Sequence, residues 1–538
     1  MHRRQFLHLA AAAPLAAAPQ RPNVILIMSD DQGFGDLSLH GNPHLQTPHI
    51  DSIARAGARL TQFQVCPVCS PTRASLMTGR YNYRTGVVDT FKGRSMMDPR
   101  EQTAAELFRA AGYRTGIFGK WHLGDNYPMR AIDQGFDDSL VHGGGGLAQP
   151  SDPPPGNHYF DPTLLRNGRF EKVSGYCTDI FFREAIQFIE KNRTRPFFLY
   201  IPTNAPHTPL ELPSEYEKPF AALDATTRKV YGMVKNLDDN VGRLLATLAR
   251  SGLEKNTILI FMTDNGPQQP RYVAGMRGRK GTVYQGGIRV PFFVRWPARI
   301  QPGTESDRIA AHIDVLPTLL EACAVRPQSP PKFDGRSVLP LLTARPAAWP
   351  DRVIHTQWHR GDQPELFRDH AARSQRWKLV NGVELYDLQN DPAESTDVAK
   401  QYPAEVARLR QATEEWFRDV SATRNGYAPP RIHLGTPHEN PTLLTRQDRR
   451  EEPPGWEVDV RAKAVYDVAV LIAPAPAAGE AVFELGSVQR RLPFPAGAAR
   501  VVFEGLPLPV GPARLAAAAA AAARPLEVLY VEVRKRNG

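Results

Sequence analysis

Short runs of almost wholly apolar residues restrict the fold of this chain more than any other feature. NVILIM (23–28) and TILIFM (257–262) are the clearest, and PFFLYI (196–201) and PFFVRW (291–296) are similar. Strands without polar alternation are typical of the buried centre of a mainly parallel sheet, where both faces are covered. The runs therefore predict buried strands.

Helical patterns lie between these runs. Apolar residues recur at helical spacing in 102–112, 179–192 and 230–252, and the first and last of these segments end in glycine. Strands that alternate with helices indicate an α/β fold. We expect a mainly parallel central sheet sandwiched by helices.

The character of the chain changes after about residue 345. Two strand patterns joined by Asn381-Gly382 predict a hairpin, and a helical pattern follows at 404–420. A stretch rich in Pro and Arg then predicts a linker, and short alternating runs predict a β-domain, in which the alanine run 516–523 is a helical turn or a loop. The predicted units are an α/β domain at 21–345, a smaller α+β subdomain at 346–421, a linker at 422–454 and an accessory β-domain at 455–538.

Residues 1–20 have the features of an export signal in the right order. Arg3 and Arg4 precede a short, alanine-rich apolar run that ends in small residues. The run is too short to span a bilayer, and its RRxFL pattern resembles the twin-arginine signals of bacteria. The alternative is a frayed helical tail. We expect a protein passed to the export machinery, periplasmic or secreted, with no stable membrane insertion.

Charge and cysteine content argue against several classes of protein. Lys and Arg (66) exceed Asp and Glu (56), but the surplus is spread along the chain, so nucleic-acid binding is not expected. A mildly basic protein can still favour anionic substrates through its field. Four cysteines do not make a disulfide scaffold, and no second C-x-x-C completes a zinc site.

Polar pairs follow two of the predicted strands. Asp30 and Asp31 come directly after NVILIM, and Asp264 and Asn265 directly after TILIFM. Ligands in open α/β sheets bind beyond the carboxyl ends of strands, and these oxygen donors suit Ca²⁺ or Mg²⁺. Helix capping explains one such pair equally well. Two pairs on separate strands favour a metal site.

The stretch CPVCSPTRASLMTGR (66–80) contains the remaining candidate group. Pro71 and Thr72 begin a predicted helix, which puts Cys69 at its N-terminus, where the helix dipole favours an anionic or polarised group. Arg73 lies about one turn further on and can face the same group. Cys69 is therefore placed as a reactive residue, and Cys66 as a packing residue.

Cys69 to Arg73, continued as ASLMTGR, resembles the C-x-P-x-R…TGR signature of the type I, formylglycine-dependent sulfatases of the alkaline phosphatase superfamily. The resemblance covers about residues 21–420 and implies an alkaline-phosphatase-like fold and an arylsulfatase-like hydrolase. The C-terminal β-domain lies outside it. Further matching segments are SDDQGFGDL (29–37), GKWHLG (119–124), APHTPL (205–210), TDNG (263–266) and KGTVYQGGIRVP (280–291).

The resemblance implies a role for each matching residue. Cys69 is oxidised to formylglycine by a sulfatase-maturing enzyme, and Arg73 steadies the product. The modified Cys69 binds one divalent cation, most often Ca²⁺, with Mg²⁺ possible, together with Asp30, Asp31, Asp264 and Asn265. The groups that flank the formylglycine or contact the sulfate and the leaving oxygen are Lys120, His122, His207 and Lys280.

The implied reaction is hydrolysis of a sulfate ester, on a sulfated small molecule or polysaccharide. A hydroxyl of the hydrated aldehyde attacks sulfur, His207 protonates the leaving oxygen, and His122 then removes a proton to release sulfate. Two alternatives stay open, a phosphonate or phosphate ester hydrolase of the same superfamily and a non-catalytic exported carbohydrate-binding protein. His142 is a further candidate, in a segment (139–150) that does not align with the substrate loop of relatives.

Overall fold

A ten-stranded mixed sheet forms the centre of the computed structural model, which describes residues 21–149, 151–343 and 348–536. The predicted export signal lies outside these residues. Five neighbouring strands in the middle of the sheet pair in parallel, and three of the four apolar runs singled out above are among them, whereas PFFVRW forms an antiparallel strand. The strands, in sheet order, are Thr304–Ser306, Ala58–Leu60, Phe292–Arg295, Thr257–Thr263, Asn23–Ser29, Phe197–Pro202, Arg114–Lys120, Asp138–His142, Thr163–Arg166 and Arg169–Lys172.

Helices cover both faces of this sheet. Alternate residues of the strand Asn23–Ser29 enter two separate cores, one with Leu26 and the other with Ile25. The first core includes the helices Cys69–Thr78, Ala104–Ala110 and Val315–Ala322, and the second includes Pro48–Arg55, Cys177–Asn192 and Ala225–Arg250. The predicted α/β architecture is confirmed. Shorter helices are Asn82–Thr85, Ser214–Glu217, Gln285–Ile288 and Leu339–Leu342.

The register of the central strands brings distant segments together. Ser29 pairs with Thr263 at the carboxyl ends of their strands, so the residues that follow them leave the sheet at one edge. Lys120 ends a strand of the same parallel set. The fold thereby gathers at this edge the polar residues that the sequence singled out.

A four-stranded antiparallel sheet follows the central part, with strands Ile354–Gln357, His370–Arg373, Trp377–Val380 and Glu384–Asp387. The last two form the predicted hairpin. Asn381 and Gly382 both have positive φ, 53° and 72°, as a tight two-residue turn requires. The helix Pro403–Ser421 packs Leu409 against this sheet.

Two further sheets enclose a single core near the C-terminus. One contains Ile432–Leu434, Trp456–Val460, Gly511–Ala521, Gly479–Leu485 and Val488–Phe494, with Arg524–Leu526 paired to its longest strand, and the other contains Thr442–Thr445, Val528–Lys535, Val465–Ile472 and Arg500–Pro507. Two of these strands thus come from the segment expected as a linker.

Most of the alanine run is neither a helical turn nor a loop. Its first six residues belong to the strand Gly511–Ala521, which pairs antiparallel with Gly479–Leu485, and Ala522 and Ala523 form the turn that follows. Ala517, Ala519 and Ala521 are buried in the core of the two sheets, while their neighbours are more exposed. Pairing and burial therefore override the helix propensity of alanine. Within the described ranges, every helix is too short or too polar to span a bilayer.

Buried histidines in the four-stranded sheet predict a loss of stability in acid. Nδ1 of His355 lies 3.3 Å from Nε2 of His370, and the His355 ring stacks on Trp416. Burial lowers the pKa of His370 to about 3. His370 takes up a proton near pH 6.5 in the unfolded chain but not in the folded chain. The free energy of unfolding is therefore undiminished by His370 above pH 6.5, and it decreases as the pH falls from 6.5 toward 3.

We expect the loss from His370 to reach about 2 kcal/mol of unfolding free energy at pH 5. Urea unfolding at pH 7.5 and pH 5 measures it. His370→Gln should show a smaller pH dependence than the parent, and His44→Gln, at an exposed site, should not. Equal pH dependence in all three proteins would contradict the assignment.

Candidate active site

The two predicted polar pairs meet at the edge of the sheet and are buried. The backbone N–H of Asp31 donates to Oδ1 of Asp264 at 3.2 Å, and the Asn265 side-chain amide donates to Oδ1 of Asp31 at 2.8 Å. Asp30 completes the group, and all four side chains are shielded from solvent. The structure therefore brings together the four residues that the sequence offered as metal ligands.

Cys69 lies at the start of the helix Cys69–Thr78, as the sequence predicted. The Thr72 hydroxyl donates to the backbone oxygen of Asp264 at 2.7 Å and ties the helix start to the sheet edge. Arg73 donates to Oδ2 of Asp264 from Nε and Nη2, at 3.2 and 2.6 Å, and to the Lys120 carbonyl at 2.9 Å. Charge-assisted contacts of this kind fix the position of the helix.

Cys66 is buried nearby in a different setting. Its sulfur lies 3.4 Å from Nε2 of His312, and burial raises the pKa of its thiol to about 12. The structure records no disulfide between Cys66 and Cys69, and both are free thiols. This setting agrees with a packing role for Cys66.

Three basic side chains face the acidic group. Lys120 Nζ lies 2.6 Å from Oδ2 of Asp30, and Lys280 Nζ lies 2.6 Å from Oδ1 of Asp31. Nε2 of His207 is 3.7 Å from Oδ2 of Asp31. The site is therefore a buried array of alternating charge.

The position of His122 does not result from a continuation of the strand. The sequence suggested that a continuing strand would point Lys120 and His122 to one side, but the strand ends at Lys120 and His122 has a φ of 60°. Its Nε2 lies 2.7 Å from the Thr90 carbonyl, so Nε2–H is the donor there. Its Nδ1 is buried and has no hydrogen-bond partner among the described residues.

Gln447 also contacts His122, and no sequence pattern predicted it. Its amide nitrogen donates to the Thr90 carbonyl at 2.7 Å and to the Ser95 hydroxyl at 2.9 Å, and lies 3.3 Å from His122 Nε2. More than 300 positions separate Gln447 from His122 in the chain. No local motif could have revealed the contact.

Burial and charge shift the acidities of the site in opposite directions. Burial alone would raise the pKa of Asp30, but Lys120, and more weakly His207 and Arg73, hold this pKa well below its usual range. Burial and the neighbouring Asp30 raise the pKa of Asp264 to about 7. Burial also raises the pKa of the Cys69 thiol, which Lys120 and Lys280 only partly offset.

The acidic group has oxygens available for a cation. Oδ1 of Asp30 and Oδ1 of Asn265 are buried without a hydrogen-bond partner in the described part of the chain. Ligand atoms of Asp30, Cys69 and Asp264 lie within 4.8 Å of one another. Orphaned buried oxygens are costly unless something binds them, and a hard divalent cation suits oxygen donors. The residues present therefore fit a metal ion.

A cavity of about 770 Å³ opens above these groups. Cys69, His122, His207 and Lys280 contribute to its wall, so the candidate nucleophile and three candidate partners face one space. His142 lies opposite Lys120 in the paired strands and bonds the Gly143 carbonyl through Nδ1, but it is not part of the described cavity wall.

Comparison with known proteins places the chain in a family. The family model "Sulfatase" matches residues 22–325, and the model "N-sulphoglucosamine sulphohydrolase, C-terminal" matches residues 279–419. The chain therefore belongs to the sulfatase family, and it is an enzyme that hydrolyses sulfate esters. The resemblance noted from the Cys69 signature is confirmed at the level of the family.

Named relatives agree with this assignment. Human N-acetylgalactosamine-6-sulfatase is 33% identical over 403 residues, which cover 69% of this chain and 74% of the relative. Human arylsulfatase A is 35% identical and is matched over 62% of this chain and 70% of its own length.

Solved structures share the fold. Ps i-CgsB, crystallised with k-i-k-neocarrahexaose, has a TM-score of 0.67 at 29% identity, over 74% of this chain and 93% of that one. A phosphonate monoester hydrolase of Agrobacterium radiobacter has a TM-score of 0.55 at 22% identity, over 75% of this chain and 96% of that one, which shows a common fold alone.

Proposed function

We propose that this sulfatase removes sulfate from a sulfated carbohydrate outside the cytoplasm, with Cys69 converted to formylglycine and one divalent cation, Ca²⁺, beside it. The observation that carries the proposal is the meeting of Cys69 and four oxygen-donor residues with Lys120, His207 and Lys280, next to a cavity whose wall includes Cys69, His207 and Lys280. A carbohydrate substrate is supported by the similarity to N-acetylgalactosamine-6-sulfatase and by the saccharide bound to Ps i-CgsB.

The basic side chains of the site are suited to binding the sulfate group. When present, the formylglycine supplies a nucleophilic hydroxyl, and the cation supplies positive charge next to it. Lys120 and Lys280 are positioned to bind two oxygens of the sulfate group, because Lys280 lies in the cavity wall on Asp31 and Lys120 is buried beside it on Asp30. Fixed cations of this kind stabilise charge that develops on the sulfate oxygens.

His207 is placed to hold the proton for the leaving group. Its Nδ1–H donates to the Thr208 carbonyl at 2.7 Å, which leaves Nε2 facing Asp31. Burial lowers the pKa of His207, while Asp31 and Asp30 favour its charged form. A proton on Nε2 can pass to the oxygen of the departing sugar.

His122 is placed to accept a proton. Burial, with the charges of Lys120 and Arg73, lowers the pKa of His122 well below its ordinary value, so the ring is neutral. Because Nε2–H is committed to the Thr90 carbonyl, the free lone pair is on Nδ1. Nδ1 of His122 is therefore the atom that accepts the proton.

His207→Ala should reduce activity according to the leaving group. We expect a loss of roughly 10²- to 10³-fold on an alkyl or sugar sulfate, and of less than about tenfold on 4-nitrophenyl sulfate, whose leaving group needs little protonation. Steady-state kinetics on both substrates measure the difference. His158→Ala, at an exposed histidine, is the control, and equal losses on both substrates in His207→Ala would remove the acid role.

Sulfate release from defined sugars tests the function as a whole. Purified enzyme with modified Cys69 is incubated with monosulfated sugars, 4-nitrophenyl sulfate and an aryl phosphonate ester, and the free anion is measured. We expect release from at least one sulfated sugar, with a higher kcat/KM on sulfate than on phosphonate. Hydrolysis of the phosphonate alone would overturn the proposal.

A further inference from the structure

One wall of the cavity comes from residues 446–451, which we name the strap. The strap follows the strand Thr442–Thr445 of the C-terminal sheets, beyond residue 325, where the first matched family model ends, and beyond residue 419, where the second ends. The wall above Cys69 therefore includes a contribution that the family resemblance did not cover.

Contacts with the catalytic part hold the strap in place. Besides the hydrogen bonds of the Gln447 side chain described above, the Gly93 N–H donates to the Gln447 carbonyl at 3.0 Å. Lys92 pairs with Glu451 at 2.5 Å. The strap is thus tied to the catalytic part at both its start and its end.

The cavity wall is strongly cationic. Among its described residues, Glu451 is the single carboxylate, and Lys92 already neutralises it. A cleft lined by one sign of charge raises the local concentration of the opposite ion. The basic residues of the wall are Lys92, Lys280, Arg360, Arg446, Arg449 and Arg450.

Arg449 is the least compensated of these cations. Arg446 pairs with Glu527, and Arg450 lies 3.8 Å from Asp362. Arg449 has no ion pair in the described ranges, and its Nε is buried without a hydrogen-bond partner. The neighbouring charge of Arg446 adds to the effect of burial in lowering the pKa of Arg449. A half-buried guanidinium in this state gains from an anion.

Aromatic side chains on another part of the wall suit a sugar ring. Phe91 and Trp358 line the cavity, and the guanidinium of Arg360 lies 4.8 and 5.4 Å from their ring centres. Trp358 is fixed by a hydrogen bond from its indole nitrogen to Asp89 at 2.9 Å. Flat apolar faces beside cations match a saccharide that carries anionic substituents.

We propose that the strap forms a subsite for a second anionic group, a sulfate or a carboxylate, on the saccharide that carries the scissile sulfate, with Arg449 as its main contact. The substrate class is then a polyanionic oligosaccharide. This inference rests on the proposed function, because the scissile sulfate must lie over Cys69 for the second group to reach the strap.

Binding to an inactive full-length chain tests the subsite apart from catalysis. Cys69→Ala protein is titrated calorimetrically with three sugars: N-acetylgalactosamine 6-sulfate, its 4,6-disulfate, and the 6-sulfate linked to a glucuronate. Carrageenan disaccharides with one and two sulfates form a second series. We expect a two-anion sugar to bind about tenfold tighter than its one-anion parent, as one charge-assisted contact provides. The disulfate and the glucuronate distinguish the two sources of the second charge.

Arg449→Gln in the same background should reduce the tenfold preference to near unity. Arg490→Gln is the matched control, because it removes one exposed positive charge from the C-terminal sheets away from the cavity wall, and should keep the preference. Arg446→Gln is the second strap variant where Arg449→Gln does not fold, and should weaken the preference in the same direction.

Three results would overturn the subsite: equal affinity for one- and two-anion sugars, no binding in either series, or the same preference in Arg449→Gln and Arg490→Gln. Failure of the proposed function has a different signature, since mature parent enzyme would then release no sulfate while the difference in affinity persisted.

Discussion

Cys69→Ala is expected to abolish sulfate release, by roughly 10⁴-fold or more, as removal of a nucleophile does in other hydrolases. The reason is its position at a helix start, next to the oxygens of Asp30 and Asp264 and at the cavity floor. Sulfate release from a monosulfated sugar measures the loss. Cys66→Ala is a matched control, because this buried cysteine lies three residues away but is not part of the described cavity wall.

The same position predicts a dependence on maturation. Protein made in a host without a sulfatase-maturing enzyme should be folded and inactive, with a thiol at Cys69. Because the RRxFL signal resembles a route for folded proteins, we expect the conversion in the cytoplasm, before folding and export. Mass spectrometry of the peptide that carries Cys69 distinguishes thiol from aldehyde. Full activity with that peptide wholly unmodified would overturn the nucleophile assignment.

Asp264→Asn should lose most of its activity and its bound cation. The change removes one of the negative charges that attract the cation and keeps the shape of the side chain. It also leaves Arg73 without its closest carboxylate, 2.6 Å away, so some loss of stability is expected as well. Calcium content per folded chain, measured by mass spectrometry, separates the two effects.

Asp314→Asn supplies the control for the second effect. Asp314 is also a fully buried carboxylate bound by an arginine, Arg352, but it lies outside the site. We expect this variant to lose stability and to keep its cation. Unchanged calcium in Asp264→Asn, or equal losses of calcium in both variants, would count against the metal site.

Most residues of the candidate site could be named from the sequence because its parts are local. Cys69 and Arg73 are separated by one helical turn, and the polar pairs follow directly after apolar strands, so a short pattern contains each part. The strands themselves are recognisable because burial on both faces leaves no polar positions. Their meeting at one edge follows from parallel pairing, as the register of Ser29 with Thr263 shows.

The strap was not predictable in the same way. Gln447 and Arg449 lie in a polar stretch whose composition indicates a linker, and their contacts depend on how two distant sheets pack on the catalytic part. The prediction for the alanine run was wrong for a related reason. Its local propensity is helical, and the strand that pairs with it, at 479–485, is distant in the sequence. Long-range pairing decided both cases.

The position of the strap late in the chain affects when the cavity wall can form during synthesis. During synthesis, Cys69 is added to the chain early, and Gln447 is added 378 residues later. At about 5–20 residues per second, synthesis of the intervening chain takes roughly 20–75 s. Throughout that interval the wall above Cys69 lacks the side that the strap supplies, so we expect a maturing enzyme to reach Cys69 before the strap has been synthesised.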